Sequence, residues 1–200
     1  SFPFEDIANE LFRVTKEGGI VVWVVNDATI NGSESLTSFK QAIFFVEKCG
    51  FNLHDTMIYR RISPFPDSVR YHQSFEYMFV FSKGKIKTFN PLMESKTEKT
   101  LQRKCTKLTQ RNKNGTMKKV NEKAEERLKK SNKNNQKLMS NIWSIPAGFM
   151  VSTNDIISFK HPAIFPEELV KKHIYSWSNE GDLVYDCFMG SGTTAKMAHI

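Results

Sequence analysis

Asp182-Leu-Val-Tyr-Asp-Cys-Phe-Met-Gly-Ser-Gly-Thr-Thr194 is the stretch on which the interpretation of the whole sequence depends. Its apolar residues 183–185 predict a short buried strand, and Asp186 stands where that strand would end. A glycine-rich turn follows over residues 188–192, and a helix is predicted to begin at Thr193. A strand, a tight glycine turn and a helix start together form a place where the backbone can approach a small molecule closely.

Three kinds of small-molecule site are candidates for this turn. A dinucleotide site requires G-x-G-x-x-G, and here Gly190 and Gly192 supply the first two positions while Ala195 occupies the third. A P-loop requires G-x-x-x-x-G-K-[ST], a spacing that this stretch lacks. An S-adenosylmethionine site places an acid at the strand end against a cationic cofactor, and Asp186 suits that ligand better than a pyrophosphate. A turn that binds nothing is the remaining alternative.

A second motif begins about 20 residues upstream of this stretch. His161-Pro-Ala-Ile-Phe-Pro-Glu-Glu-Leu-Val170 and the glycine turn, taken together, resemble the adenine-N6 and cytosine-N4 amino-methyltransferases of DNA. In that family H-P-A-x-F-P-x-x-L precedes D-P-F-x-G-S-G-T-T at a similar spacing. The order of the motifs is similar to that of the β class, in which the catalytic region precedes the cofactor region.

Two further segments extend the resemblance. Residues 11–23 are similar to the family's R-V-L-K-x-G-G helix and strand, and residues 75–84 to its H-E-Y-I-x-x-F-S-K strand. Cys187 departs from the family, which usually has proline there, and Phe75 departs where histidine is frequent. The resemblance covers about residues 1–90 and 140–200.

The resemblance implies a site for S-adenosylmethionine. The residues that it assigns to the cofactor are Asp186, Phe188, Gly190, Gly192, Thr193 and Thr194 on the loop and helix start, and His161, Pro162 and Phe165 on the other side. A purely structural role is the alternative for His161 and for both phenylalanines, because phenylalanine is usually a core residue. No catalytic residue is assigned, and no metal is expected, because the histidines and cysteines lack metal-ligand spacing.

The base-holding motif of the family, D-P-P-Y or S-P-P-Y, is not found in this sequence, which has no Pro-Pro dipeptide. The resemblance would place that motif before Ser1 and the acid that binds the cofactor ribose after Ile200. We therefore expect part of a site-specific DNA methyltransferase, which transfers the methyl group to an exocyclic amine of a flipped base. Adenine N6 is favoured over cytosine N4, and the 200-residue chain alone is expected to be inactive.

Two other functions compete with methyl transfer. The first is a non-catalytic DNA-binding module derived from the same fold, which binding of S-adenosylmethionine would distinguish from an enzyme. The second is a nicotinamide-dependent oxidoreductase, which the incomplete dinucleotide motif favours only weakly.

Charge is unevenly distributed along the chain. The sequence has 29 Lys and Arg against 21 Asp and Glu, a net charge of +8, but residues 83–138 alone have 18 basic and 5 acidic residues, a net charge of +13. A basic segment of this kind indicates a polyanionic partner, here double-stranded DNA, and a solvated insert is the alternative. Lys104, Lys107 and Arg111 are the candidate DNA contacts.

The expected fold is α/β: a Rossmann-like methyltransferase core with a mostly parallel sheet and one antiparallel strand pair, incomplete, with a basic helical insert. Residues 1–84 are predicted to form the catalytic-side core. Residues 85–140 are predicted to form the target-recognition insert, with one exposed helix flanked by mobile sequence. Residues 141–200 are predicted to form the cofactor side.

Within the core, local patterns make more specific predictions. The apolar run 20–25 predicts a buried strand, and a strand over 75–81 is expected to pair antiparallel with one beginning at 57–59. A helix over 37–49 would carry Phe39, Ile43 and Val46 on one face. Asp27, at a strand end, is an outside candidate for the active site, and a cap or turn is the favoured alternative.

Several expectations concern the cell rather than the fold. No apolar run approaches the length of a membrane span, the first residues lack secretory features, and the three isolated cysteines fit reduced thiols. We expect a protein of the cytoplasm, in a prokaryote or a phage-infected cell. A companion restriction nuclease is a further candidate partner, and the sequence makes no prediction of oligomeric state.

Overall fold

The computed structural model describes residues 2–61, 68–102, 109–119, 122–148, 150–161 and 164–200. The chain divides into two compact units. The core unit consists of Ser1–Asn90 and Ser140–Ile200, and the basic unit of Pro91–Met139. The basic unit falls within the predicted insert, whereas the functional roles of the segments remain predictions.

The first part of the core unit alternates helices and strands. Its elements are α1 (Phe4–Val14), β1 (Ile20–Val25), β2 (Thr29–Ile30), β3 (Ser33–Glu34), α2 (Thr37–Phe44), β4 (Asn52–Arg61) and β5 (Phe75–Ser82). A π-helical turn, Phe45–Cys49, extends α2. Gly50 ends this extension with a φ of +93°, a conformation that glycine adopts without strain.

The basic unit contains strands as well as helices. Its elements are β6 (Met93–Ser95), α3 (Glu98–Gln102), β7 (Thr109–Arg111), β8 (Met117–Lys119), α4 (Glu122–Lys133) and β9 (Gln136–Leu138). The predicted exposed helix is present as α4, but β6 also pairs with β9, and β7 with β8, both antiparallel. These strand pairs were not predicted, because three-residue polar strands have no hydrophobic alternation to indicate them.

The second part of the core unit completes the sheet. Its elements are β10 (Ile142–Ile145), a 3-10 segment (Ile156–Lys160), α5 (Glu167–Trp177) and α6 (Thr193–His199). In the described residues the main sheet has the order β1-β5-β4-β10. Both β1 and β4 run antiparallel to β5, and β10 runs parallel to β4, so β5 alone opposes the direction of the other three. The predicted α/β methyltransferase fold class and the predicted antiparallel pair of β4 and β5 are confirmed, but the described sheet is mixed rather than mostly parallel, because two of its three strand pairings are antiparallel.

Helices cover both faces of the sheet. The cluster on one face consists of buried residues from α1, the helix 37–49, β1, β5 and the turn before β4, namely Ala8, Trp23, Ala42, Phe45, Cys49, Phe51, Phe79 and Phe81. Successive strand residues point to opposite faces, so Met78, next to Phe79, faces the other side. There its sulfur lies 3.2 Å from Nε2 of His173 in α5.

Burial of α2 differs from the simplest expectation. Phe39, Ile43 and Val46 do share one face, but they are 44%, 54% and 38% exposed. The core instead covers the face that carries Ser38, Ala42, Phe45 and Cys49. The small residues of that face let the helix approach the aromatic cluster closely. Periodicity alone cannot show which of two apolar helix faces is buried, because the neighbouring elements decide which face they cover.

The buried strand predicted over residues 183–185 is wrong for this chain. No strand is assigned there, and Leu183 and Tyr185 are 88% and 66% exposed. A strand requires a neighbour that pairs its backbone N–H and C=O groups. Within the described residues no strand pairs with this segment, so its apolar composition alone does not produce one. Separately, no described helix is both long and apolar enough to cross a membrane.

Candidate cofactor site

The glycine-rich turn forms where the sequence predicts it. Asp186 Oδ1 accepts a hydrogen bond of 2.8 Å from Phe188 N, which closes the start of the turn. Gly190 and Gly192 have φ values of +52° and +85°, in the left-handed region that favours glycine. Helix α6 begins at the next residue, Thr193. The loop therefore has the conformation that its two glycines permit.

His161 and Gly190 meet although they are far apart in sequence. A Cβ atom added to Gly190 would lie 3.3 Å from His161 Nε2 and 3.4 Å from its Cε1. The backbone N–H of His161 donates to Ser158 O at 3.0 Å, which fixes the end of the 3-10 segment. The structure thus brings the two motifs into contact, and the absence of a side chain at Gly190 leaves room for the imidazole.

Open space and exposed aromatic surface also adjoin the loop. No heavy atom would lie within 4 Å of a Cβ on Gly192, so this glycine faces open space. The ring of Phe188, 49% exposed, makes an edge contact with Trp23 at a centroid distance of 5.8 Å. A second contact of 5.8 Å joins it to Phe2. Phe188 therefore connects the loop to β1 and the start of α1 while presenting half of its surface.

The remaining predicted cofactor residues occupy different environments. Thr193 is buried, and its Oγ1 lies 3.2 Å from Ser191 Oγ, while Thr194 is half-buried beside it. Phe165 is 37% exposed, so it is not a core residue. Pro162 lies outside the described residues. The structure therefore gathers His161, Phe188 and the glycine turn at one place.

A polar cluster behind the loop has no signal in the sequence. Lys196 Nζ, on α6, donates to Asp155 Oδ2 and to Glu167 Oε1, both at 2.7 Å. Thr153 Oγ1 donates to the same Glu167 carboxylate. The hydrogen bond that Lys196 donates to Asp155 is the largest cause of its raised pKa, and the one that it donates to Glu167 is the next. The cluster connects α6 to the first turn of α5. Its residues are so far apart in the sequence that no local pattern predicts their contact.

Asp27 has a structural role. Its Oδ1 accepts from Ser38 N and from Ser35 Oγ, both at 3.1 Å, and its Oδ2 accepts from Ser38 Oγ. Burial alone would raise the pKa of Asp27, but the hydrogen bonds from Ser38, Ser35 and Thr37 lower it. Leu36, at the N-cap position, makes no side-chain cap. Asp27 therefore satisfies the amide groups at the start of α2, as the favoured alternative predicted.

Of the three candidate DNA contacts, the structure describes one. Arg111 is exposed on β7, and its Nε donates to Gly115 O at 3.3 Å. Lys104 and Lys107 lie outside the described residues.

Comparison with known proteins identifies relatives over nearly the whole chain. The model of a family described as DNA methylase matches residues 3–200. The orphan methyltransferase M.BamHII of Bacillus amyloliquefaciens is 56% identical over 199 residues, which are 99% of this chain and 72% of that protein. The DNA adenine methyltransferase YhdJ of Escherichia coli K12 is 38% identical over 66 residues, which are 32% of this chain and 21% of that protein.

Among solved structures, the PvuII DNA methyltransferase, described as cytosine-N4-specific, has the same fold. It superposes with a TM-score of 0.67 and 19% sequence identity, and the match covers 98% of this chain but 61% of that one. The chain thus spans about three fifths of the PvuII enzyme and just under three quarters of M.BamHII. At this identity the structural likeness establishes the fold alone.

Proposed function

The chain belongs to the DNA methylase family, and we propose that it forms the S-adenosylmethionine-binding part of an enzyme that methylates an exocyclic amine in DNA. The observation that carries the proposal is the approach of His161 to Gly190. It joins two motifs of the resemblance in space, around a loop with an acid at its entrance and open space beside Gly192.

The residues present fit S-adenosylmethionine. Asp186 uses Oδ1 to close the turn, so its Oδ2 can accept from a ligand ammonium group, whose charge it would complement. The half-exposed ring of Phe188 offers apolar contact, and the hydroxyls of Ser191 and Thr193 stand near the helix start. When bound, the cofactor supplies a methyl group on a cationic sulfonium. Phe188 would then cover part of the bound cofactor from water.

The proposed target atom is adenine N6, and cytosine N4 is the alternative. The adenine enzyme YhdJ supports adenine through 38% identity over 66 residues. The PvuII enzyme, which is cytosine-N4-specific, supports only the fold at 19% identity. The proposed partner is double-stranded DNA in the bacterial cytoplasm. A companion nuclease is the less favoured partner, because M.BamHII is described as an orphan methyltransferase.

Nucleoside analysis tests the function and the target base together. The protein expressed from its complete reading frame would be incubated with labelled S-adenosylmethionine and unmethylated plasmid DNA, and the digested DNA analysed by mass spectrometry. N6-methyldeoxyadenosine is the expected product. N4-methyldeoxycytidine would show that the target is cytosine N4 instead. DNA binding without cofactor binding or methylated product would favour the non-catalytic DNA-binding module.

We also propose that the 200 residues alone do not methylate DNA, because they contain no Pro-Pro-Tyr segment to hold the base. The purified chain should transfer no label under conditions in which the complete protein does. Robust transfer by the chain alone would mean that other residues hold the base.

A further inference from the structure

Lys196 connects three elements that surround the glycine loop. It lies on α6, one turn after Gly192, and its backbone N–H donates to Gly192 O at 3.0 Å. Its Nζ donates to Asp155, which precedes the 3-10 segment, and to Glu167, which opens α5, both at 2.7 Å. The group that we call the Lys196 cluster consists of Lys196, Asp155, Glu167 and Thr153.

The acidic side of the Lys196 cluster is held together by hydrogen bonds of its own. Glu167 N donates to Ser152 O at 3.0 Å, and Thr153 Oγ1 donates to the Glu167 carboxylate. Thr153 Oγ1 also accepts from Asp155 N at 3.0 Å. These bonds keep the two carboxylates next to each other, so that one ammonium group reaches both.

The same segment contacts the glycine loop and α6 at two separate points. The 3-10 segment Ile156–Lys160 begins directly after Asp155 and ends directly before His161, whose ring lies beside Gly190. Gly190 precedes α6, whereas Lys196 lies within it. One contact is therefore steric, at the loop, and the other is ionic, one helical turn later. Two contacts determine an orientation that the contact at Gly190 alone would leave free to rotate.

The ion pairs of the Lys196 cluster are partly exposed. The exposed fraction of the side chain is 36% for Lys196, 45% for Asp155 and 25% for Glu167. Ion pairs this exposed contribute little to the stability of the whole fold. A free energy too small to decide whether a chain folds can still decide which of two loop arrangements is populated. Loss of these ion pairs should therefore affect the loop more than the fold.

We propose that Lys196 is a positioning residue for S-adenosylmethionine, an inference that rests on the proposed function. By holding α6 against Asp155 and Glu167, it keeps the glycine loop and Asp186 in the arrangement that receives the cofactor. Lys196 acts through the backbone rather than by touching the cofactor, because two carboxylates already engage its Nζ. Without the ion pairs, only a fraction of the molecules has the competent loop, and the apparent affinity falls by that fraction.

Calorimetric titration of the complete protein with S-adenosylmethionine measures this role. Lys196→Met, which keeps the length of the side chain but removes its charge, should weaken binding by about 3- to 10-fold, because the competent loop is depopulated by that factor. Lys196→Arg, which can donate to both carboxylates, should restore the affinity to within about twofold. In a methylation assay Lys196→Met should raise KM for S-adenosylmethionine and leave kcat at saturating cofactor unchanged.

The matched control is a second ion pair, which lies within α5. Lys172 Nζ is 2.7 Å from Glu168 Oε1, and Glu168→Gln should leave the affinity for S-adenosylmethionine unchanged. Asp155→Asn should weaken binding in the unaltered protein but cause no further loss in the Lys196→Met protein, because both residues act through one contact. Unchanged affinity in a folded Lys196→Met protein would overturn the proposal, as would additive losses in the double variant or an equal loss in the Glu168→Gln protein.

Hydrogen exchange of the cofactor-free protein separates this proposal from the proposed function. In the loop, Gly192 N donates to Met189 O and Phe188 N donates to Asp186 Oδ1, both at 2.8 Å. Lys196→Met should accelerate exchange at these two amides and leave exchange in β5 unchanged. If the unaltered complete protein binds no S-adenosylmethionine, the proposed function fails. Equal exchange in the Lys196→Met and unaltered proteins would instead show that Lys196 does not hold the loop.

Discussion

His173 shows how a single residue can be confined to one protonation state. Its ring is buried in α5, accepts a hydrogen bond of 3.3 Å at Nδ1 from Trp177 Nε1, and packs on Trp143 at a centroid distance of 4.7 Å. Burial lowers its pKa from 6.5 to about 3. Imidazolium could not accept from Trp177, so the folded protein holds the neutral ring.

Stability should therefore decrease as the solution becomes acidic. Between pH 6.5 and about 3 the unfolded chain binds a proton on His173 that the folded chain does not. Each unit by which the pH is lowered in this range therefore reduces the free energy of unfolding by up to about 1.4 kcal/mol. His173→Gln should flatten that dependence although it lowers stability at pH 7. Urea unfolding at pH 7 and pH 5 measures the difference, with the exposed His72→Gln as the control. An equal pH dependence in the His173→Gln protein would contradict the assignment.

Asp186 has two roles that substitution can separate: its charge would bind the cofactor, and its Oδ1 accepts the hydrogen bond that closes the turn. Asp186→Ala in the complete protein should weaken S-adenosylmethionine binding by about 1–3 kcal/mol, through loss of a charged hydrogen-bond partner. Asp186→Asn keeps an acceptor for Phe188 N but removes the charge, so it should also weaken binding while leaving the turn intact. Titration calorimetry measures both. The control is Asp182, four residues before Asp186: Asp182→Ala removes the acceptor of Asn179 N and should leave the affinity for S-adenosylmethionine unchanged. If a folded Asp186→Ala protein binds S-adenosylmethionine with normal affinity, Asp186 is not part of the cofactor site.

At the scale of the element, α2 and its π-helical extension illustrate how neighbours decide burial. Both sides of this helix carry apolar residues, but Phe45 is fully buried in the aromatic cluster, 4.6 Å from Phe81 between ring centroids. Ile43, on the other side, is more than half exposed. Of these two apolar residues on one helix, Phe45 therefore stabilises the fold strongly, whereas Ile43 contributes little to stability.

Alanine substitutions on the two faces should differ in their effect on stability. Phe45→Ala should lower the free energy of unfolding by about 3–5 kcal/mol, through lost burial and the cavity that remains. Ile43→Ala should cost less than about 1 kcal/mol, because much of its surface is already in water. Urea denaturation at one pH compares them directly. A large loss for Ile43→Ala would reveal that a partner covers that face in solution.

At the scale of the whole molecule, the chain combines a core unit with a basic unit of different composition. The core unit contains an aromatic cluster and the glycine loop, whereas the basic unit has 15 Lys and Arg against 5 acidic residues. Under the proposed function, the positive net charge of the basic unit would attract DNA, whereas the cofactor residues belong to the core unit. DNA affinity and cofactor affinity should therefore respond to different substitutions.

Salt dependence tests this separation. Neutralising Lys104, Lys107 and Arg111 together in the complete protein should reduce the slope of log DNA affinity against log salt by up to about three units, because each phosphate contact contributes about 0.9. The affinity for S-adenosylmethionine should stay nearly unchanged, and the target sequence should largely survive. Binding titrations at several salt concentrations measure the slope. An unaltered slope would mean that these side chains are solvated.

The sequence by itself determined the features that adjacent residues encode. The left-handed glycines at 190 and 192 formed the predicted turn, and the apolar run 20–25 formed β1. The sequence between β4 and β5, which predicts a loop rather than a crossover helix, agrees with their antiparallel pairing. Each depends on backbone preference or on a continuous apolar run, which local composition states directly. The motif resemblance likewise placed the chain in its family.

Only the tertiary structure decided which of these features meet. It put His161 against Gly190, joined Lys196 to Asp155 and Glu167, and covered one face of α2 rather than the other. It also left residues 183–185 without a partner strand among the residues that the structure describes, although their composition favours one. The physical reason is common to all four: burial, ion pairing and strand pairing depend on groups distant in sequence, about which a local pattern carries no information.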